Sequence, residues 1–369
     1  MKKLEINRQE VIDLFCSLVQ IDSESGNEAD FREYLQNKFT SLNIESTVDS
    51  YGNLIANIAG TGEPIMLSCH MDTVKPGKNI TPVINDTTIT SNGETILGAD
   101  DKAGIAAIIF ALSELQRTNQ EHRAVQIVFC REEEVGCLGA KNLDYNLIKA
   151  KECLVLDHTA QPGKIVMGAP FLTDLEITIT GRAAHASMPE NGINSIAVAA
   201  LAISKLKIGR IDNETTSNVG IINGGRISNG VPEITTIRLE VRSHNQAKHD
   251  KWLKFIQTVF TQAAKRYGAE LKIQTKAEVI GYSVNKSSEL YKNIKKIWKG
   301  LGIITISEKI GGASDANIFN SKGIIAIPLG SGGQHPHTLQ ESIDIREIED
   351  MIAFLIKFLA KIDKKPTIG

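Results

Sequence analysis

Apolar positions recur along the chain with two different periods, and the change between them divides it. Val11, Leu14, Phe15 and Leu18 fall on one helical face, and a second helix is expected from Ser25 or Asn27 toward Phe39. Residues 44–57 then read as a hairpin turning at Tyr51-Gly52-Asn53. Short apolar runs of buried-strand type follow at 64–68, 124–130 and 153–156, each ending in polar residues. Between the first two, Ile105, Ile108, Ile109, Leu112 and Leu115 mark an amphipathic helix, with Asp100 or Asp101 at its start as a cap. Buried strands alternating with helices predict an open α/β sheet, in which ligands bind at the carboxyl ends of the strands.

Near residue 173 the pattern becomes strict alternation, with Leu175, Ile177 and Ile179 apolar. A helix is expected over 193–206, strands over 215–222 and 233–242, a long helix over 246–266 and a strand over 270–276. This β-α-β-β-α-β order fits a split-βαβ (ferredoxin-like) insertion of about 110 residues. The expected division is 1–172 for the first part of a catalytic domain, 173–280 for an inserted lid or dimerisation domain, and 281–369 for the second part. The last part should hold helices over 290–301 and from 345 to about 362.

Composition narrows the function. With 43 acidic and 41 basic residues the formal net charge is −2, which offers no broad attraction to nucleic acid or to an anionic membrane. Five cysteines, without a C-x-x-C pair, argue against a disulfide framework and for a reducing compartment. The N-terminal segment turns polar where a signal peptide would become apolar, and no apolar run reaches the ~18 residues of a membrane span. A cytoplasmic protein acting on a small molecule is the expectation. No G-x-x-x-x-G-K-[ST] occurs, and no G-x-G-x-x-G follows a strand, so nucleotide binding is not supported.

The polar strand ends carry the candidate chemistry. His70 and Asp72 share one face of a strand, where a carboxylate can orient a metal-binding imidazole. Asp100-Asp101 are either helix caps or a bridge between two cations. Glu132-Glu133-Glu134 are either a solvated loop or a metal ligand beside a general base, with the register of the triplet open. Asp157-His158 and His335-Pro336-His337 end the series. Each element alone reads more readily as a cap, a solvated loop or ordinary surface. Together they supply histidines and carboxylates for two zinc ions with positions left for water. Two dications against three carboxylates and a hydroxide come close to neutrality, which matters because unbalanced buried charge is expensive.

The run His70-x-Asp72, Gly98-Ala99-Asp100-Asp101-Lys102-x-Gly104, Glu133-Glu134-x-Gly136, Asp157 and His337-x-x-x-Glu341 resembles the M20 metallopeptidases, most of all their peptidase T group. The similarity spans nearly the whole chain, including residues 181–186 and 229–233 of the insertion. It implies an α/β fold with a zinc-peptidase-like mixed sheet flanked by helices, and two Zn²⁺ per subunit, with Co²⁺ or Mn²⁺ as alternatives. By resemblance Asp100 bridges the ions, His70 and Asp157 complete one site, and Glu134 and His337 complete the other. Glu133 is the general base, Asp72 orients His70, and the Asp100–Asp101 peptide is cis. His185 stabilises the oxyanion, reaching across a homodimer formed through the lid, and Arg242 and Asn229 bind substrate. The implied activity is hydrolysis of short peptides from the N-terminus. An N-acyl amino acid amidohydrolase would use the same centre. A metal-dependent binding protein without turnover would show a broken ligand set or a missing base, and neither occurs. In one departure, Ile310 precedes Gly311-Gly312-Ala313-Ser314-Asp315 where relatives carry an arginine, leaving Lys309 as the nearby cation.

Overall fold

The structure is a computed structural model, and residues 6–360 are described. The chain forms two compact units. The first takes the residues up to Met167, Val284–Lys309 and those from Ser314 on; the second takes Gly168–Ser283 and Ile310–Ala313.

In the first unit the strands Leu54–Ile58, Arg123–Cys130, Thr61–His70, Glu152–His158 and Ile325–Gly330 lie side by side in that order. The last four are mutually parallel, so their carboxyl ends share one edge of the sheet. These strands are apolar on both faces because helices cover both, the usual condition of a parallel sheet. Thr61–His70 crosses through the helix Ala99–Arg117 to its parallel neighbour Arg123–Cys130. That helix packs against Arg8–Val19 and Ile345–Leu359. Gly104 permits the close approach, since a Cβ there would lie 2.6 Å from the Leu156 carbonyl and 2.8 Å from Cys69 Sγ.

The sequence expectations differ from this unit at a few points. The second helix is Ala29–Ser41, with Glu28 at its N-cap position and no side-chain cap, and the Ser25 hydroxyl donates to Asp72 instead. Neither Asp100 nor Asp101 caps the crossover helix. Gly98 in the left-handed region (φ 74°) precedes it, and no side chain caps it. A small sheet of Pro82–Asn85, Thr88–Ser91 and Ser342–Asp344 was not anticipated. The final helix runs Ile345–Leu359, and the expected end at Ile362 lies outside the described residues.

The second unit is an antiparallel sheet in the order Gly209–Arg210, Thr215–Gly224, Ile234–Ser243, Phe171–Thr180, Glu270–Val279. Helices Ser195–Ile203 and Gln246–Tyr267 pack on one face, burying Leu175, Ile177, Ile179, Ile237, Leu239 and Val241 in a core of their own. Alternation produces this directly, since every second side chain of a strand faces the helices. Each such burial is worth roughly 1.5–3 kcal/mol.

Candidate metal centre

The parallel strands deliver their polar ends to one place in the first unit. His70 is the last residue of Thr61–His70 and Asp157 the penultimate residue of Glu152–His158. Glu133 and Glu134 lie in the loop after Arg123–Cys130, and His337 in the loop after Ile325–Gly330. Asp100 opens the crossover helix with non-helical φ and ψ, and its peptide bond to Asp101 is cis.

Two donor sets result, and they share Asp100. One contains His70, Asp100 and Asp157; the other contains Asp100, Glu134 and His337. Within each, the ligand atoms lie within 4.8 Å of one another. His70 Nε2 is 3.4 Å from Asp100 Oδ1 and 3.5 Å from Asp157 Oδ1. His337 Nε2 is 3.3 Å from the other aspartate oxygen, Oδ2, and 2.8 Å from Glu134 Oε1. Zinc–donor bonds of about 2.0–2.1 Å in a tetrahedron separate neighbouring ligands by roughly 3.3 Å. Three of the four distances match that spacing, and Asp100 turns one oxygen to each histidine.

Buried hydrogen bonds hold these ligands in place. His70 Nδ1 donates to the Asp72 carbonyl at 2.8 Å, which leaves Nε2 with its lone pair toward the cluster. The Asp72 carboxylate sits 3.4 Å from the same Nδ1. It accepts from Ser25 Oγ (2.6 Å) and from the backbone N–H groups of Glu133 (2.9 Å) and Glu134 (3.2 Å). One side chain therefore positions a histidine and both glutamates. Glu341 does the same for the bridging aspartate: its carboxylate accepts from the N–H groups of Leu97, Gly98 and Asp100. Asp101 is drawn to the backbone N–H of His70. The register of the glutamate triplet follows from Glu132, whose carboxylate takes the Tyr51 hydroxyl at 2.7 Å, leaving Glu133 and Glu134 in the cluster.

The electrostatics fit a cation site. Burial, and then the charge of Asp157, raise Glu133 well above the ordinary glutamate range. Asp157 is pushed up to about 6 by burial, with His70 opposing. Burial acts upward on Asp100 too, but hydrogen bonds from His337 and His70 outweigh it and hold it low. His337 is pushed up to about 10 by its hydrogen bonds to Asp100 and Glu134. So many acids in a low-dielectric pocket must share protons or cations, and oxygen and imidazole donors at this spacing suit zinc-like dications.

The three residues expected to bind substrate, His185, Asn229 and Arg242, lie in the second unit. His185 is exposed and its Nδ1 contacts Ser187 Oγ at 2.7 Å. It pairs with Gly230, next to Asn229, whose carbonyl accepts from Ala186 N. Both Arg242 Nε and Nη2 are taken by Glu240 (3.0 and 2.8 Å), and Nη1 donates to the Gly311 carbonyl. Lys309 ends the first-unit strand Ile306–Lys309 and is exposed. Sequence reasoning gave no role to Asp315, buried and within 4.8 Å of Glu133, or to Ser25. The Gly-Gly-x-x-Asp run and the His337-x-x-x-Glu341 spacing were the available signals for Asp315 and Glu341; Ser25 had none.

Comparison with known proteins agrees with this geometry. Residues 66–361 match the description of peptidase family M20/M25/M40. The Bacillus subtilis (strain 168) protein YqjE is 34% identical, covering 96% of this chain and all of the relative. The crystal structure of aminopeptidase PepT from Bacillus cereus ATCC 10987 superposes with a TM-score of 0.90 at 34% identity, over 96% of this chain and 98% of that one. A tripeptidase from Staphylococcus aureus subsp. aureus Mu50 gives 0.93 at 33% identity over the same shares. The chain belongs to the M20/M25/M40 peptidase family and is a metallopeptidase.

Proposed function

We propose that this protein is an aminopeptidase that releases N-terminal residues from short peptides, tripeptides among them, with two zinc ions held by His70, Asp100, Asp157, Glu134 and His337. The observation that carries the reading is Asp100, whose two oxygens face two different histidines at 3.4 and 3.3 Å. The activities printed for the Bacillus cereus and Staphylococcus aureus structures support the substrate class. Two cations in these sets would supply Lewis-acid polarisation of the scissile carbonyl and make an adjacent water more acidic.

The chain's own groups do the rest. Glu133, raised by burial, takes the proton of the attacking water and returns it to the leaving amine. Asp72 holds the Glu133 backbone and the His70 ring together, so base and ligand keep their spacing. Glu341 fixes the turn that presents Asp100. His185, Asn229 and Arg242 of the second unit are assigned to substrate, His185 to the oxyanion. Arg242 must exchange Glu240 for a substrate carboxylate.

The second unit also has a surface suited to a homodimer. The outer edge of Thr215–Gly224 pairs with Gly209–Arg210 at one end only, and Ile221 and Ile222 beyond that pairing are exposed. Five free cysteines, with no helix among the described residues long and apolar enough to cross a membrane, support a cytoplasmic location.

Assay of the purified protein with di-, tri- and N-acyl substrates, with and without chelator, tests the activity. Peptide turnover that chelation abolishes is expected, while turnover of N-acyl amino acids alone would replace this reading with an amidohydrolase. Glu133→Gln should keep two metals and lose ~10²–10⁴-fold in turnover; full turnover in that variant would remove Glu133 as base.

A further inference from the structure

Beside the proposed metal ligands lies another set of donors, of which the reaction above uses only Glu133. Glu133, Cys137 and Asp315 are all buried and each places a ligand atom within 4.8 Å of the others. Cys137 Sγ is 3.4 Å from Glu133 Oε1. Asp315 is 2% exposed, and its Oδ1 has no hydrogen-bond partner. The local backbone explains why these groups are available. Cys137 sits in the left-handed region (φ 56°) with its N–H on the Glu133 carbonyl, and its thiol is enclosed. Asp315 opens the helix Asp315–Ser321, but Ser314 supplies the cap, so the aspartate is not consumed by that task.

We propose that Glu133, Cys137 and Asp315 form a third cation site, selective for thiophilic dications such as zinc or cadmium, and that filling it inhibits the enzyme by engaging Glu133. A tetrahedral ion with a sulfur bond of about 2.3 Å and an oxygen bond of about 2.1 Å separates the two donors by roughly 3.6 Å, close to the 3.4 Å between Cys137 and Glu133. A thiolate favours soft and borderline ions over magnesium or calcium. Any proton on the three donors leaves to solvent as the ion enters. With Asp100, Glu134 and Asp157, six anionic donors then face three dications, so the formal charges of donors and ions balance. Binding at this site stands on its own donors; the inhibition rests on Glu133 being the base.

Cobalt(II) titration tests the proposal, because the two proposed catalytic sites contain no sulfur. Metal-free protein is brought to two equivalents and then beyond, with bound metal, near-ultraviolet absorption and peptide turnover followed together. Activity should appear by two equivalents without a thiolate-to-cobalt charge-transfer band. Past two, that band should grow as turnover falls ~10²-fold or more. Cys137→Ala and Asp315→Asn, each compared with its own turnover at two equivalents, should lose both the band and the inhibition. Binding that stops at two ions, inhibition without the band, or inhibition retained in Cys137→Ala overturns the site. If either variant fails to fold, the wild-type band decides alone. Absence of turnover at two equivalents would defeat the peptidase reading, while the band still reports on the third site.

Discussion

In the first unit Asp49, Asp72, Asp101, Lys102, Asp315 and Glu341 are buried, along with His70. In the second unit, among the described residues, no Asp, Glu, Lys or Arg is buried; its enclosed polar groups are Ser, Thr and His249. The two units thus put their buried strands and helices to different ends. The second spends its interior on apolar packing, which is self-sufficient. The first places acids where water cannot solvate them, and such acids persist only when hydrogen bonds, protons or cations answer their charge.

This contrast can be broken most sharply at Asp100. Asp100→Asn should abolish turnover and reduce bound metal well below two ions per chain, as read by elemental analysis; two tightly bound ions in that variant would show that Asp100 does not bridge. Next comes the core of the second unit. Ile177, fully buried, should cost about 2–5 kcal/mol in Ile177→Ala, by denaturant unfolding, while leaving metal content unchanged. A loss of metal there would mean that the two units are not energetically separate. Glu341→Gln keeps the shape but weakens three backbone hydrogen bonds around Asp100, and should lower metal affinity or activity ~10–100-fold. The smallest effect concerns exposed charge in the second unit. Asp212 is held below its ordinary range by the Glu214 N–H and then by Lys248. Its interaction is therefore present above about pH 3.9 and lost as pH falls through its lower folded value. Asp212→Asn should slightly lower stability at neutral pH and leave it unchanged at pH values below the folded titration of Asp212, so that the acid limb of the thermal stability curve flattens.

Legibility in the sequence followed the same divide. The second unit was readable almost element by element, because alternation at Leu175, Ile177 and Ile179 maps onto a one-sided sheet without further information. In the first unit the strands were equally plain and the family motifs pointed to the donors that cluster there, but local rules misjudged Asp100 and Asp101. Capping preference describes helix starts in water, whereas here Asp101 serves the His70 backbone and Asp100 serves the cluster. The Pro82–Asn85 and Thr88–Ser91 hairpin was missed because its strands are short and its third strand, Ser342–Asp344, lies some 250 residues away. The part played by Ser25 depends on a contact with Asp72 across 47 positions, which no window of the sequence contains.

The two histidines differ in one further respect. His70 has 1% of its side-chain surface accessible, whereas His337 has 49% and stands on a loop with positive φ at both His335 and His337. The proposed ion pair is therefore kinetically unequal: the His337 position trades its ion with solvent first, and the His70 position retains its own. Dialysed preparations would pass through a singly loaded form, and isotopic zinc would enter in two phases of different rate.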